Sequence, residues 1–249
     1  MAPPAMTGDR PPMEKALLHL VERLQKAFGS RLVSVVLYGS AAAGDYDPKF
    51  SDLNVLCVLA EITPRELSHG EDLFRWWRER GNPSPLLMTE AELASCADCF
   101  AIEFADIRRY HRLLYGKDVV SSLVVDGRYY RAQVEHDLRA KLLRLRQKAV
   151  AACSDPDLLR RLLADSVSTF CVLFRHALAL QGVDPPLARR DVIQRARQQF
   201  AIDPLPFERL LDLRQERLKP REVDPHALLA PYLAGISAVI DAVDRLEKT

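Results

Sequence analysis

The sequence of 249 residues is short of the features that place a protein quickly. Five cysteines, an odd number in a chain this long, do not describe a disulfide framework, and a reducing compartment is the expectation. The formal net charge is +1, so bulk charge argues neither for nor against a polyanionic partner. No uninterrupted apolar run approaches the roughly 18 to 20 residues that span a bilayer. The opening MAPPAMTGDRPP lacks the apolar stretch of a signal peptide. A cytoplasmic protein with no membrane partner is therefore expected. Aromatics make up 7% of the chain and do not interleave with basic residues as a stacking platform for single strands would. No specific nucleic-acid binding is expected. No internal repeat is evident, and nothing specifies an oligomeric state.

What is present falls into two unlike halves. Residues 1–12 are Pro-rich and expected to be a disordered tail, because they cannot bury enough surface to offset their ordering entropy. Leu17, Val21, Leu24 and Phe28 recur at helical spacing over residues 13–28, and Gly29 closes that helix. RLVSVVLY, residues 31–38, reads as a buried strand broken by Gly39-Ser40. Ala41 to Ala43 can start a short helix, and residues 44–51 are turn-rich. Residues 52–59 read as a second strand. Side chains alternate across a strand, so Asp52 and Asn54 share a face with Leu56, opposite Leu53, Val55 and Cys57. Thr63-Pro64 is expected to cap a helix reaching about Arg80, with Trp76 or Trp77 packed on the sheet. Residues 85–88 suggest a short strand, and Thr89-Glu-Ala-Glu a capping box. FAIEFADI, residues 100–107, reads as a third strand, apolar except for Glu103 and Asp106. Residues 129–152, 156–181, 189–199, 204–217 and 226–247 all show helical spacing. The expected fold is α+β: a mixed-sheet domain over 13–120, then an all-α bundle over 121–249.

The first half carries the chemistry. A strand ends in Gly39-Ser40, the next opens with Asp52 and Asn54, and Glu103 interrupts an apolar stretch. Adjacent strands lie about 4.8 Å apart, so polar groups from two of them can converge on one divalent ion. A glycine lets backbone N–H groups approach phosphate, and a serine adds a donor. Mg²⁺ takes oxygen ligands, commonly one or two carboxylates plus phosphate oxygens. Glu103 has a plainer reading as a salt-bridged or sheet-edge carboxylate. Asp106 competes for its role but falls on the opposite face of a regular strand.

Gly39-Ser40, Gly44 and then Ser51-Asp52-Leu53-Asn54 resemble the signature of the DNA polymerase β-like nucleotidyltransferase superfamily. The likeness is greatest to the bacterial minimal and aminoglycoside nucleotidyltransferases and covers residues 13–120. It extends to FAIEFADI as the strand of a third carboxylate and HRLLYGKD as the helix after it. The resemblance implies transfer of a nucleoside monophosphate from Mg²⁺-NTP, with ATP the natural donor, to an unidentified small-molecule or protein acceptor. By that likeness Gly39 and Ser40 hold the triphosphate, while Asp52, position 54 and Glu103 ligate magnesium. Asp52 and Glu103 are then the catalytic carboxylates. Two positions depart from the pattern: Asn54 stands where the family has Asp, and Ala43 where many minimal members have Arg. Asn54 lowers the formal negative charge of the three-residue cluster by one, which favours one ion over two. Asp45 or Asp47 could supply a replacement carboxylate. The alternative implied by Asn54 is a catalytically degenerate relative, a nucleotide-binding or antitoxin-like regulatory module.

Three further patterns have plainer readings. Cys96-Ala-Asp-Cys99 has metal-ligand spacing, but no second pair follows and His111 is the nearest extra ligand. Arg139, Lys141, Arg144, Arg146 and Lys148 read as a solvated helix face or as a basic wall for an anionic substrate. Arg221-x4-His226 matches a helical ribonuclease spacing, but Pro220 and Pro225 place it in a connection.

Overall fold

The computed structural model describes residues 10–44 and 52–246. The chain divides into two compact units, Met1–Val125 and Asp126–Thr249. In the first, helix α1 (Arg10–Phe28) precedes strand β1 (Leu32–Tyr38), the one-turn helix α2 (Ser40–Ala43), β2 (Asn54–Leu59) and α3 (Pro64–Arg78). Then come β3 (Leu86–Thr89), α4 (Glu90–Ser95), α5 (Ala101–Arg109) and β4 (His111–Gly116). Helix α1 reaches back to Arg10, so the last three residues of the expected tail are helical. Pro11 and Pro12 sit in the first turn, where a missing N–H costs no hydrogen bond. Residues 1–9 lie outside the described residues, as do Asp45, Asp47 and Ser51.

The sheet order is β3-β2-β1-β4. β1 is antiparallel to both β2 and β4, and β2 runs parallel to β3. Val35, Leu37, Leu53, Val55, Cys57 and Leu59 turn to one face and pack on Leu17, Leu20, Leu24 and Phe28 of α1 and on Leu73 and Trp77 of α3. Val36, Leu56 and Val58 turn to the other and pack with Met88, Leu93 of α4, and Phe104 and Ile107 of α5. Each fully buried leucine or phenylalanine contributes about 1.5–3 kcal/mol of transfer free energy. The capping boxes at Thr63/Glu66 and Thr89/Glu92 both form. Trp77 is the tryptophan that enters the core, while Trp76 stays near the surface under the guanidinium groups of Arg23 and Arg80.

One stretch reverses its expectation. FAIEFADI is helix α5, not a strand, and HRLLYG is strand β4, not a helix. A short apolar run does not distinguish strand from buried helix by periodicity. Here Phe104 and Ile107, three apart, share the buried side with Ala101, while Glu103 is exposed. β4 is a sheet edge, so its half-exposed side chains show no apolar alternation, and charged residues such as Arg112 guard the open edge. Arg112 is held by Glu14 of α1 at 2.7 and 3.1 Å.

The second unit is all helix: α6 (Gly127–Ala152), α7 (Pro156–Leu180), α8 (Arg189–Phe200), α9 (Leu205–Arg214) and α10 (Pro225–Asp244). The side chains of Asp126, Asp155 and Asp224 cap α6, α7 and α10, each satisfying backbone N–H groups that a helix start leaves open. α7 packs against all four of the others. Phe170, Phe174, Phe207 and Tyr232 form its aromatic centre, with neighbouring rings 4.8 to 6.4 Å apart. By length and composition α7 and α10 could cross a membrane, which a search for uninterrupted apolar runs passes over. Their apolar side chains, among them Leu163 and Phe174 of α7 and Ile236 and Val239 of α10, are buried in this unit. Arg139, Lys141, Arg144, Arg146 and Lys148 of α6 are exposed, and Arg139 pairs with Glu135 at 2.9 Å.

Candidate functional site

The candidate site forms where β1 and β2 end side by side. Tyr38, the last residue of β1, pairs in register with Asn54, the first of β2, and with His111, the first of β4. The chain then turns at Gly39, with φ 79° and ψ −153°, a conformation that side chains other than glycine rarely adopt. Gly39 N–H donates to the Tyr110 carbonyl at 3.0 Å, and its own carbonyl accepts from Ala43 N–H at 3.1 Å. Ser40 opens α2, and Ala41 beneath it is buried.

Position 54 faces this turn. A Cβ built on Gly39 would stand 3.4 Å from Asn54 Nδ2. By alternation Asn54 shares the side of Leu56, and its amide borders Gly39. The Leu53 N–H donates to Asn82 Oδ1 at 3.4 Å, which holds the approach to β2, and Leu53 itself is buried in the α1/α3 core. Asp52 precedes the strand and is exposed.

Glu103 reaches the region from α5. Because α5 is a helix, Glu103 and Asp106, three apart, share one side of it, where a strand would have separated them. Both carboxylates, after burial itself, hold the Tyr38 phenol above its ordinary value, which places both near the end of β1. Tyr38 is the member of this neighbourhood that sequence reasoning passed over, and Asp106 is one it weighed and set aside by strand parity. Tyr38 has the parity of Val36 and so falls on the Asn54 side. Asp106 follows from Glu103 by i,i+3 spacing once the segment is read as helix.

Asp52, Asn54 and Glu103 would together supply two carboxylates and one neutral oxygen, a set whose chemistry matches one hard cation better than two. Asp52 offers a carboxylate and Asn54 a neutral carbonyl oxygen, a set that suits an ion arriving with phosphate oxygens. Among the described residues no three His, Cys, Asp or Glu side chains converge to hold a metal ion. A second ion would have Asn54 and Glu103, with a single charge between them.

No family model matches the sequence, and no curated protein matches it. Among solved structures the chain is similar to the spectinomycin adenyltransferase of Enterococcus faecialis, crystallised with ATP and spectinomycin. The two superpose with a TM-score of 0.60 at 13% identity, over 93% of this chain and 99% of that one. At that identity the likeness shows the fold alone: an α+β arrangement with a mixed four-stranded sheet and a helical C-terminal region.

Proposed function

We propose that the chain is a Mg²⁺-dependent nucleotidyltransferase that moves a nucleoside monophosphate from an NTP, with ATP as donor, to a hydroxyl of a small-molecule acceptor. The observation that carries this reading is the adjacency of position 54 to Gly39 at the paired ends of β1 and β2. In it, Ser40 and the backbone beyond Gly39 orient the triphosphate, and Asp52 and Asn54 hold the cation. Bound magnesium would neutralise charge on the phosphates and the leaving group. Glu103 accepts the proton of the acceptor hydroxyl. The acceptor oxygen bonds to the α-phosphorus, the bond to the β-phosphate breaks, and pyrophosphate leaves. The adenyltransferase of similar fold was solved with ATP and spectinomycin, which supports ATP as donor and a small molecule as acceptor.

A second reading rests on the neutral Asn54 and the unconverged carboxylates: a protein that binds a nucleotide with one ion and does not turn it over. Incubation with α-labelled ATP and metabolite pools separates the two. Label transfer that Asp52→Ala abolishes supports the transferase. Saturable binding with no transfer supports the regulator, and no binding at millimolar nucleotide contradicts both.

A further inference from the structure

The Cys96-x-x-Cys99 pair is outside the nucleotide chemistry and has a geometry of its own. Cys96 is the C-cap of α4, its N–H bonded to the Glu92 carbonyl at 2.8 Å. Its carbonyl then accepts from both Cys99 N–H at 3.1 Å and Phe100 N–H at 3.0 Å. A hydrogen bond between residues i and i+3 closes a turn whose end Cα atoms lie within about 7 Å, and disulfides span about 4.4–6.8 Å between Cα atoms. Cys96 is half-buried and Cys99 exposed, so a small reagent reaches the pair. Cys57 and Cys171 are different: both are buried, and burial pushes each thiol up to about 12. Cys153 is exposed in the other unit. Among the described residues no third His, Cys, Asp or Glu joins the pair to hold a metal ion.

We propose that Cys96 and Cys99 are a dithiol that exchanges with low-molecular-weight disulfides of the glutathione class and closes to an intramolecular disulfide. The exposed Cys99, as thiolate, attacks one sulfur of the small disulfide. That S–S bond breaks, one small thiolate leaves, and a mixed disulfide remains on the protein. The Cys96 thiolate then attacks the Cys99 sulfur and expels the second small thiolate. Two protein thiols are oxidised to one S–S bond, the small disulfide is reduced to two thiols, and the two protons pass to them. Asp98 accepts a hydrogen bond from the Cys99 thiol and holds it above its ordinary range. That slows attack, and it also withholds the thiolate stabilisation that makes a disulfide easy to reduce. The product is an intramolecular disulfide. It would lie at the root of α5, which begins at Ala101 and carries Glu103 and Asp106.

Equilibrating the full chain with glutathione disulfide, quenching with acid and mapping peptides tests this. The peptide holding residues 96 and 99 should lose two hydrogens and alkylate at least about tenfold more slowly, with dithiothreitol restoring both. A Cys153→Ser chain should behave identically. In Cys96→Ser, Cys99 should instead retain a mixed disulfide that does not resolve. The proposal is overturned if Cys96 and Cys99 still alkylate freely under conditions that modify Cys153. It is equally overturned if the wild-type pair stops at mixed disulfides.

Discussion

The two faces of the sheet are built on the same strands and end differently. On one face Leu53, Val55, Cys57 and Leu59 form an apolar row, closed by α1 and α3. On the other, Leu56 and Val58 continue the core under α5, but the row stops at Asn54, and β1 stops at Tyr38 beside Glu103 and Asp106. The first face is a packed interior. The second gives up burial at one end for polar groups. Places where an otherwise consistent pattern breaks its own rule are where function is expected.

Substitutions on the two faces should therefore separate stability from binding. Trp77→Ala, on the closed face, empties a fully buried site and should cost about 3–5 kcal/mol of unfolding free energy. Denaturant melts would show it, with nucleotide affinity unchanged in the molecules that stay folded. Gly39→Ala, at the open end, forces a side chain into a positive-φ conformation beside Asn54. It should cost about 1–3 kcal/mol and lower MgATP affinity as well; full affinity would remove the turn from the site.

The closed face also has an acid-sensitive joint. Glu66 is buried and accepts hydrogen bonds from the Thr63 hydroxyl and N–H, with Arg31 at 2.9 Å. The Thr63 hydroxyl first, and Arg31 last, hold its carboxyl below the ordinary 4.5. Its folded value lies below its unfolded one, so its contribution is present above about pH 4.5 and is lost as the pH falls through the depressed value. Glu66→Gln should lower stability at neutral pH and flatten the acid limb of a stability–pH curve. An unchanged acid limb would discard this joint. Asp52→Asn, exposed at the open end, should change stability by less than about 0.5 kcal/mol while weakening MgATP at least about tenfold in calorimetric titration. Equal affinity would take Asp52 out of the site.

Much of this was legible from residue order. The strands over 31–38 and 52–59 show because β-branched runs are bounded by glycine and turn residues. The five C-terminal helices show because prolines punctuate long periodic segments. Gly39, Ser40, Asp52 and Asn54 fall at strand ends, and alternation alone puts Asn54 with Leu56. The segment 100–116 defeated the same rules for two reasons. Eight residues are too few for a period to declare itself, and an edge strand has no buried row to reveal it. That misreading had a consequence at the site: a strand sends Asp106 away from Glu103, and a helix brings the two together beside Tyr38.

We propose that the open end of the sheet takes a nucleotide with one cation because position 54 is neutral. Counting bound Mn²⁺ by electron paramagnetic resonance, with a non-hydrolysable ATP analogue at saturation, tests it directly. The account predicts one tightly bound ion in the wild-type chain and a second, or tighter binding of the first, in Asn54→Asp. No nucleotide-dependent ion, or two in the wild type with no change in Asn54→Asp, would contradict it.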